Sequence, residues 1–171
     1  MLRKLLPRPQ LYALLRASRR FATDGKALKD MTGLEQMRAL AVVFETKLGI
    51  GQTLKFRATE IEEGRVVFEG TPGQFAYNPI NTIHGGYAAT LLDSACACAT
   101  HTKIPVGQAY TTLSLNVSYL GAMTSKTGPV RAEGRCIRIG RRSAFAEATL
   151  KDAQGKLLAS ATSTLLVMDV P

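Results

Sequence analysis

The chain has 171 residues, of which 46% are hydrophobic and 20% are charged. This size and composition predict one globular domain and exclude a multidomain enzyme, a coiled coil and a disordered chain. The formal net charge of +9 is the unusual figure. Taken alone it would suggest nucleic acid, an anionic membrane surface or a phosphorylated ligand as the partner.

The positive charge is concentrated near the N-terminus. Residues 1–30 contain eight basic and two acidic residues, a net charge of +6, so that residues 31–171 carry only +3. We therefore divide the chain into a basic N-terminal extension, 1–30, and one folded domain, 31–171. Apolar residues recur at near-helical spacing after Pro9, which predicts a short basic amphipathic helix in the extension.

Three roles are open for this extension. An organellar presequence is amphipathic, rich in arginine and poor in acidic residues. An extension that packs on a partner subunit or stays mobile is the simplest alternative, and attachment to anionic lipid is the third. No apolar run suits a secretory signal or the ~20 residues of a membrane span. We expect a cytoplasmic protein without an integral membrane segment, or a mitochondrial matrix protein if residues 1–30 are a presequence.

Two further classes of site are not expected. Cys96, Cys98 and Cys136 are an odd number of cysteines without the spacing of zinc ligands, so we predict reduced thiols and no metal site. The chain has no tryptophan, and it lacks the interleaved aromatic and basic residues of an RNA-binding motif. We therefore expect no nucleic-acid partner.

The first helix of the folded domain is predicted over residues 32–48. Its apolar residues lie on one stripe, Thr32 and Glu35 form a capping box, and Gly49 ends the helix.

Six later segments predict β-strands, because they alternate apolar and polar residues or are rich in β-branched residues. They are residues 52–58, 64–70, 109–120, 129–139, 142–152 and 156–168. Residues 71–82 form a loop rich in glycine, proline and asparagine. Short connections between the last four strands favour antiparallel pairing.

A second helix is predicted over residues 84–103, and it is apolar on nearly every side. Such a helix is surrounded by protein. A single sheet of about six strands covers only one side of it, so its open side is expected to meet a second subunit. The fold class is thus α+β, an antiparallel sheet wrapped around a long helix, assembled as a homodimer or a dimer of dimers.

Asp93 lies in the middle of this apolar helix, with no lysine or arginine within a turn or two. A carboxylate in such surroundings is paired with neighbouring polar groups, protonated or functional. A structural carboxylate bonded to the facing sheet and a functional one both fit.

The same helix begins with His84, Gly85 and Gly86. The first turn of a helix has free N–H groups, and glycine allows an oxygen atom to approach them closely. Asp93 follows His84 by about 2.5 turns, so the two residues cannot share a site within one subunit. A second, antiparallel copy of the helix would bring Asp93 of one subunit close to Gly85 of the other. His84 can serve as a loop anchor or as a general base.

The segment N-P-I-N-T-I-H-G-G, which is followed after six further residues by Asp93, resembles the signature of PaaI-like acyl-CoA thioesterases, the phenylacetate-degradation type. In that family Asn-x-x-Gly-x-x-His-Gly-Gly precedes an Asp or Glu on the central helix. The resemblance covers about residues 45–168. It implies the hotdog fold and hydrolysis of an acyl-CoA thioester.

By position, the resemblance makes Asp93 the general base or the nucleophile and the Gly85 N–H the group that polarises the thioester carbonyl. Asn78 would orient substrate or water, and Thr112 would hold the attacking water, although strand register decides between Thr111 and Thr112. His84 and Gly86 are expected to contact the substrate. Asn81 replaces a family glycine, and asparagine tolerates the positive φ that such a turn requires. This replacement leaves open which of Asn78 and Asn81 faces the substrate.

A turn between two predicted strands is rich in arginine. Arg138, Arg141 and Arg142 surround Gly140, and they form either a solvated sheet edge or a clamp for the phosphates of coenzyme A.

We therefore expect an acyl-CoA thioesterase, with coenzyme A as part of the substrate and no separate cofactor. A non-catalytic acyl-CoA or lipid-binding protein, or a dehydratase or hydratase on the same fold, is the alternative. The acyl group is left open, with Tyr77, Tyr87, Leu91 and Tyr119 as candidate lining residues.

Overall fold

A computed structural model describes residues 26–44 and 49–170. The basic helix predicted after Pro9 and the last turn predicted for the first helix, 45–48, lie outside the described residues.

Three helices and two short 3₁₀ turns occur in the described part of the chain. Helix α1 is Gly33–Phe44, α2 is Ile50–Thr53 and α3 is Gly85–His101, and the 3₁₀ turns are Leu28–Asp30 and Gln74–Ala76. The capping box of α1 is confirmed, because the Thr32 N–H donates to Glu35 Oε2 at 2.6 Å and the Glu35 N–H donates to Thr32 Oγ1 at 3.4 Å.

The strands form one antiparallel sheet. They are β1 Phe56–Glu62, β2 Arg65–Gly70, β3 Gln108–Tyr119, β4 Val130–Ile139, β5 Ser143–Asp152 and β6 Leu157–Asp169. Their order across the sheet is β1-β2-β4-β5-β6-β3. The expected number of strands and the antiparallel pairing are confirmed, and β1 and β3 are the two edges.

The prediction of the first strand at 52–58 was wrong. The strand begins at Phe56 and runs to Glu62. Residues 50–53 form the short helix α2 instead, and Lys55 then takes the left-handed conformation, with φ of 55°. A bulge between Ala58 and Glu60 interrupts the alternation that a strand shows in sequence.

Helix α3 packs lengthwise on one face of the sheet and forms the centre of the core. Leu91, Leu92, Ala95 and Cys96 are completely buried there. Contact between helix and sheet is closest at Gly134 of β4, where a Cβ atom would lie 2.2 Å from the Ala95 carbonyl oxygen.

The opposite side of α3 is only partly covered. Asp93, Ser94, Ala97 and Cys98 all lie on this side and are partly exposed. The helix is therefore covered on one side by its own sheet and open on the other, as the sequence predicted, and Asp93 lies on the open side.

Candidate active site

One side chain of β3, that of Thr112, forms a hydrogen bond with Asp93. The Thr112 hydroxyl donates to Asp93 Oδ1 at 3.2 Å. Thr111 and Thr112 point to opposite faces of the strand, so Thr112 is the threonine that faces the carboxylate. A carboxylate held by a hydroxyl on the open side of a helix can accept a proton from a water molecule or attack an electrophile.

His84 caps the beginning of α3. Its extended backbone places the ring over the first turn, where Nδ1 accepts a hydrogen bond from the Gly86 N–H at 2.8 Å. Because Nδ1 is the acceptor, the proton of the neutral ring is on Nε2. The Gly86 N–H is thus occupied by the cap.

The neighbouring Gly85 N–H has no hydrogen-bond acceptor among the described residues. It stands at the positive end of a helix of 17 residues. The Tyr119 ring packs against Gly85, and a Cβ atom on this glycine would lie 3.1 Å from two ring carbons. Gly85 therefore presents a free N–H donor that a carbonyl oxygen or an oxyanion can accept.

A cavity of about 390 Å³ opens beside this donor. Apolar and glycine residues line it: Ile83, Gly85, Tyr119, Leu120, Gly121, Ala122 and Met123. Of the four residues considered for the acyl pocket, Tyr119 is in this lining. Tyr87 and Leu91 are core residues instead, 3% and 0% exposed, and the Tyr77 hydroxyl accepts from the Ser125 N–H.

The loop before α3 is held by Asn78. Its Oδ1 accepts from the N–H groups of Ile80 and Thr82, both at 3.1 Å, and its Nδ2 donates to Thr82 Oγ1 at 2.8 Å. Asn81 has φ of 63°, the left-handed conformation expected for the residue that replaces a glycine. Asn78 thus shapes the loop, and one N–H of its amide is left for another partner.

A bulge in β3 decides which side chains face α3. Thr112 and Tyr119 are seven residues apart, and an ideal strand would place them on opposite faces. The register with β6 shifts between Thr112 and Ser114, so Leu113 is an extra residue. Thr112 contacts Asp93 and Tyr119 contacts Gly85. No feature of the sequence indicated this bulge.

Thr112 and Tyr119, towards the two ends of β3, therefore contact different parts of α3. Thr112 contacts Asp93, and Tyr119 contacts Gly85. Gly85 and Asp93 are eight residues apart on α3, about 12 Å along the helix axis. One chain thus presents a carboxylate near the middle of its helix and a free N–H at the beginning of that helix.

The arginine turn lies at the same end of the sheet as Thr112. The Arg142 carbonyl accepts from the Val167 N–H at 3.1 Å, and Val167 pairs with Tyr110 of β3. Arg141 and Arg142 are exposed in the turn. Arg138 pairs with Phe145, which is 46% exposed between two buried alanines, and so Arg138 points away from α3, on the outer face of the sheet.

The cysteines do not form disulfides. Burial, with a smaller contribution from Asp93, raises the pKa of the Cys96 and Cys98 thiols to about 12. Both are therefore protonated and weak nucleophiles at neutral pH. Within 26–44 and 49–170, no three His, Cys, Asp or Glu side chains are grouped closely enough to hold a metal ion.

Comparison with known proteins identifies the fold. The family model of the thioesterase superfamily matches residues 80–159. The structure of zebrafish thioesterase superfamily member 2 superposes with a TM-score of 0.67 at 25% identity, over 80% of this chain and 98% of that one. A Ralstonia eutropha putative thioesterase, a phenylacetic acid degradation-related protein, gives 0.65 at 24% identity over 75% and 97%. The chain has the hotdog fold of the thioesterase superfamily.

A third hotdog structure, from Streptococcus mutans, was solved with acetyl-CoA bound. It gives a TM-score of 0.61 at 25% identity, over 67% of this chain and 90% of that one. No curated protein sequence matches the chain. The resemblance noted in the sequence is confirmed at the level of the thioesterase superfamily, and the family match spans Gly85, Asp93, Thr112 and the arginine turn. No helix in the described residues is long and apolar enough to cross a membrane.

Proposed function

We propose that this hotdog protein is an acyl-CoA thioesterase, which hydrolyses acyl-CoA to a free carboxylic acid and coenzyme A. The observation that carries the proposal is the Asp93 carboxylate, bonded to Thr112 on the open side of the same helix whose first N–H, that of Gly85, is free. The two groups are those that an ester hydrolase needs, a base or nucleophile and a donor for the carbonyl oxygen.

In the proposed reaction, the thioester carbonyl oxygen accepts a hydrogen bond from the Gly85 N–H. Asp93 takes a proton from a water molecule held beside Thr112 as the water oxygen bonds to the carbonyl carbon. The carbon–sulfur bond then breaks, and the coenzyme A thiolate leaves and takes the proton from Asp93, which returns to its carboxylate. Alternatively Asp93 itself attacks the carbonyl carbon, the carbon–sulfur bond breaks with release of the coenzyme A thiolate, and water then hydrolyses the mixed anhydride and restores the Asp93 carboxylate. The Gly85 contact would stabilise the transition state by about 3 kcal/mol.

A complete site requires a second subunit in this proposal. The β3 edge is unpaired in one chain and exposes Leu113, Tyr119 and Leu120, each more than half exposed. Antiparallel pairing of two β3 edges would place the Tyr119 end of one chain beside the Thr112 end of the other. This arrangement would bring Gly85 of one subunit to Asp93 of its partner, in a homodimer or a dimer of dimers.

The arginine turn is proposed to bind the phosphates of coenzyme A. The turn lies at the same end of the sheet as Thr112, the residue that bonds to Asp93. Arg141 and Arg142 are exposed there, and arginine can bind phosphate in bidentate fashion. The acetyl-CoA held by the Streptococcus mutans relative supports a ligand of this class. The uncharged cavity beside Gly85 favours acyl groups without a second carboxylate.

The experiment is a hydrolysis assay over a panel of acyl-CoA esters, in which release of free thiol is measured for the wild type and for Asp93→Asn. We expect kcat to fall about 100-fold or more in this variant, because it retains the shape of the side chain but cannot take a proton. Asp169→Asn is the matched control, since it removes an exposed carboxylate from the end of β6.

Three outcomes would contradict the proposal. Undiminished hydrolysis by Asp93→Asn would exclude the role of Asp93. Tight binding of acyl-CoA without release of thiol would indicate a binding protein. Consumption of enoyl-CoA or hydroxyacyl-CoA without release of thiol would indicate a hydratase or dehydratase.

A further inference from the structure

The Gln36 side chain of α1 connects the segment before that helix to the end of α3. Its Nε2 donates to the Leu28 carbonyl at 2.9 Å and to the Met31 carbonyl at 3.1 Å. Its Oε1 lies 2.9 Å from His101 Nε2. All of these contacts are partly buried, so that water competes weakly for them.

These contacts fix the protonation of His101. A glutamine amide has two N–H donors, and the two backbone carbonyls use both of them. The oxygen therefore accepts, and His101 Nε2 carries the proton. Because burial lowers the pKa of His101 to about 4, the ring is neutral at physiological pH with its other nitrogen unprotonated.

The His101 ring in turn packs against β3. It meets Tyr110 edge to face, with ring centroids 5.4 Å apart and an interplanar angle of 87°. Burial raises the pKa of Tyr110 well above its usual value, and the nearby Cys98 and Asp93 raise it further. Tyr110 thus contacts His101, and it lies on the same strand face as Thr112, two residues further along β3.

The contact between Thr112 and Asp93 depends on the position of this strand. At 3.2 Å it is longer than most hydrogen bonds between two oxygens. A displacement of β3 away from α3 would weaken it further. We propose that Gln36 and His101 are positioning residues that hold β3, through Tyr110, so that Thr112 reaches Asp93; this rests on the function proposed above for that pair.

Helix α1 is attached to the end of α3 so closely that a shift of one helix would move the other. The Gly33 N–H donates to the Ile104 carbonyl at 2.9 Å, and a Cβ atom on Gly33 would lie 1.8 Å from the His101 carbonyl oxygen. The beginning of α1 is therefore fixed on the end of α3 by backbone contacts. Gln36 adds the side-chain link to His101.

The test compares Gln36→Leu with the wild type in the acyl-CoA assay, well below the melting temperature of each protein. Leucine has nearly the volume of glutamine but none of its hydrogen bonds. We expect kcat to fall about tenfold with little change in KM, because remote misplacement of reacting groups affects the chemical step more than binding. Gln108→Leu is the matched control, because it removes a glutamine hydrogen bond at the beginning of β3, to Asp169 of β6.

A second readout does not depend on turnover. The NMR resonance of the Asp93 carboxyl carbon should move in Gln36→Leu and stay in place in Gln108→Leu. In a Thr112→Val background, Gln36→Leu should have little further effect on kcat, since the contact that it weakens is already absent. His101→Phe retains the aromatic contact with Tyr110 but loses the bond to Gln36, and it should change kcat in the same direction.

The outcomes separate this proposal from the proposed function. If the wild type releases no thiol, the proposed function is wrong. The NMR comparison of Gln36→Leu with Gln108→Leu then still tests whether Gln36 influences the surroundings of Asp93. If the wild type is active and neither kcat nor the Asp93 resonance changes in Gln36→Leu, the positioning role is overturned. It is also overturned if Gln36→Leu and His101→Phe both fail to fold, because the link would then serve stability alone.

Discussion

The hydroxyl of Thr112 on β3 donates to the carboxylate of Asp93 on α3, at 3.2 Å. This contact separates Thr112 from its neighbour Thr111, which points to the other face of the strand. Thr112→Val should therefore lower kcat about tenfold, the effect of losing one hydrogen bond to a charged group. Thr111→Val should leave kcat unchanged. Equal effects of the two substitutions in the thiol-release assay would contradict the assignment.

His84 caps α3 through Nδ1, and this geometry predicts a structural role for the ring. His84→Asn should retain both stability and hydrolysis, because asparagine also caps helices. His84→Ala should lower the free energy of unfolding by about 1 kcal/mol. Denaturant unfolding and the thiol-release assay measure the two effects. Loss of hydrolysis in a stable His84→Asn variant would show instead that the ring takes part in the reaction.

The arginine turn should affect binding of the nucleotide and not the chemical step. Replacing Arg141 and Arg142 by glutamine should raise KM for acyl-CoA about tenfold, since charged hydrogen bonds to phosphate are lost. KM for a truncated thioester without the nucleotide should not change. The double variant Arg38→Gln, Arg57→Gln removes the same charge from exposed positions elsewhere. An equal rise of KM in that control would indicate long-range charge attraction alone.

His101 predicts a dependence of stability on pH. Burial lowers its pKa from 6.5 to about 4, so between these values the unfolded chain binds a proton that the folded chain excludes. The contribution is complete above pH 6.5 and is lost as the pH falls towards 4, by about 3 kcal/mol in total. Carboxylates titrate in part of this range, so the His101→Gln variant provides the baseline. An identical slope of unfolding free energy in both proteins would contradict the prediction.

Gly134 sets the distance between α3 and the sheet. A Cβ atom there would lie 2.2 Å from the Ala95 carbonyl oxygen and 2.8 Å from the Cys96 nitrogen, and neither backbone atom can move independently of the helix. Gly134→Ala should lower the free energy of unfolding by about 3 kcal/mol or more. Gly140→Ala should be tolerated within about 0.5 kcal/mol, because its Cβ would meet only Ser143 O at 3.4 Å. Thermal unfolding of both variants provides the comparison.

Local pattern was enough to predict the elements of this fold where the pattern was regular. The last four strands differ from their predicted bounds by no more than one residue at either end, since each is a run of ten or more residues that alternates or is rich in β-branched residues. The first strand was misplaced, because α2 precedes it and a bulge interrupts it. Both features depend on contacts with other parts of the chain, which have no signature in a window of seven residues.

The sequence by itself located the concentration of charge, the apolar helix, its one carboxylate and its Gly-Gly beginning, because each depends on residues that are close along the chain. Only the tertiary structure decided that Thr112 faces Asp93, that Arg138 points to the outer face, and that Gln36 reaches His101. These relationships depend on which strands pair and where a bulge shifts their register. Such long-range pairing is set by the packing of the whole domain and not by any local period.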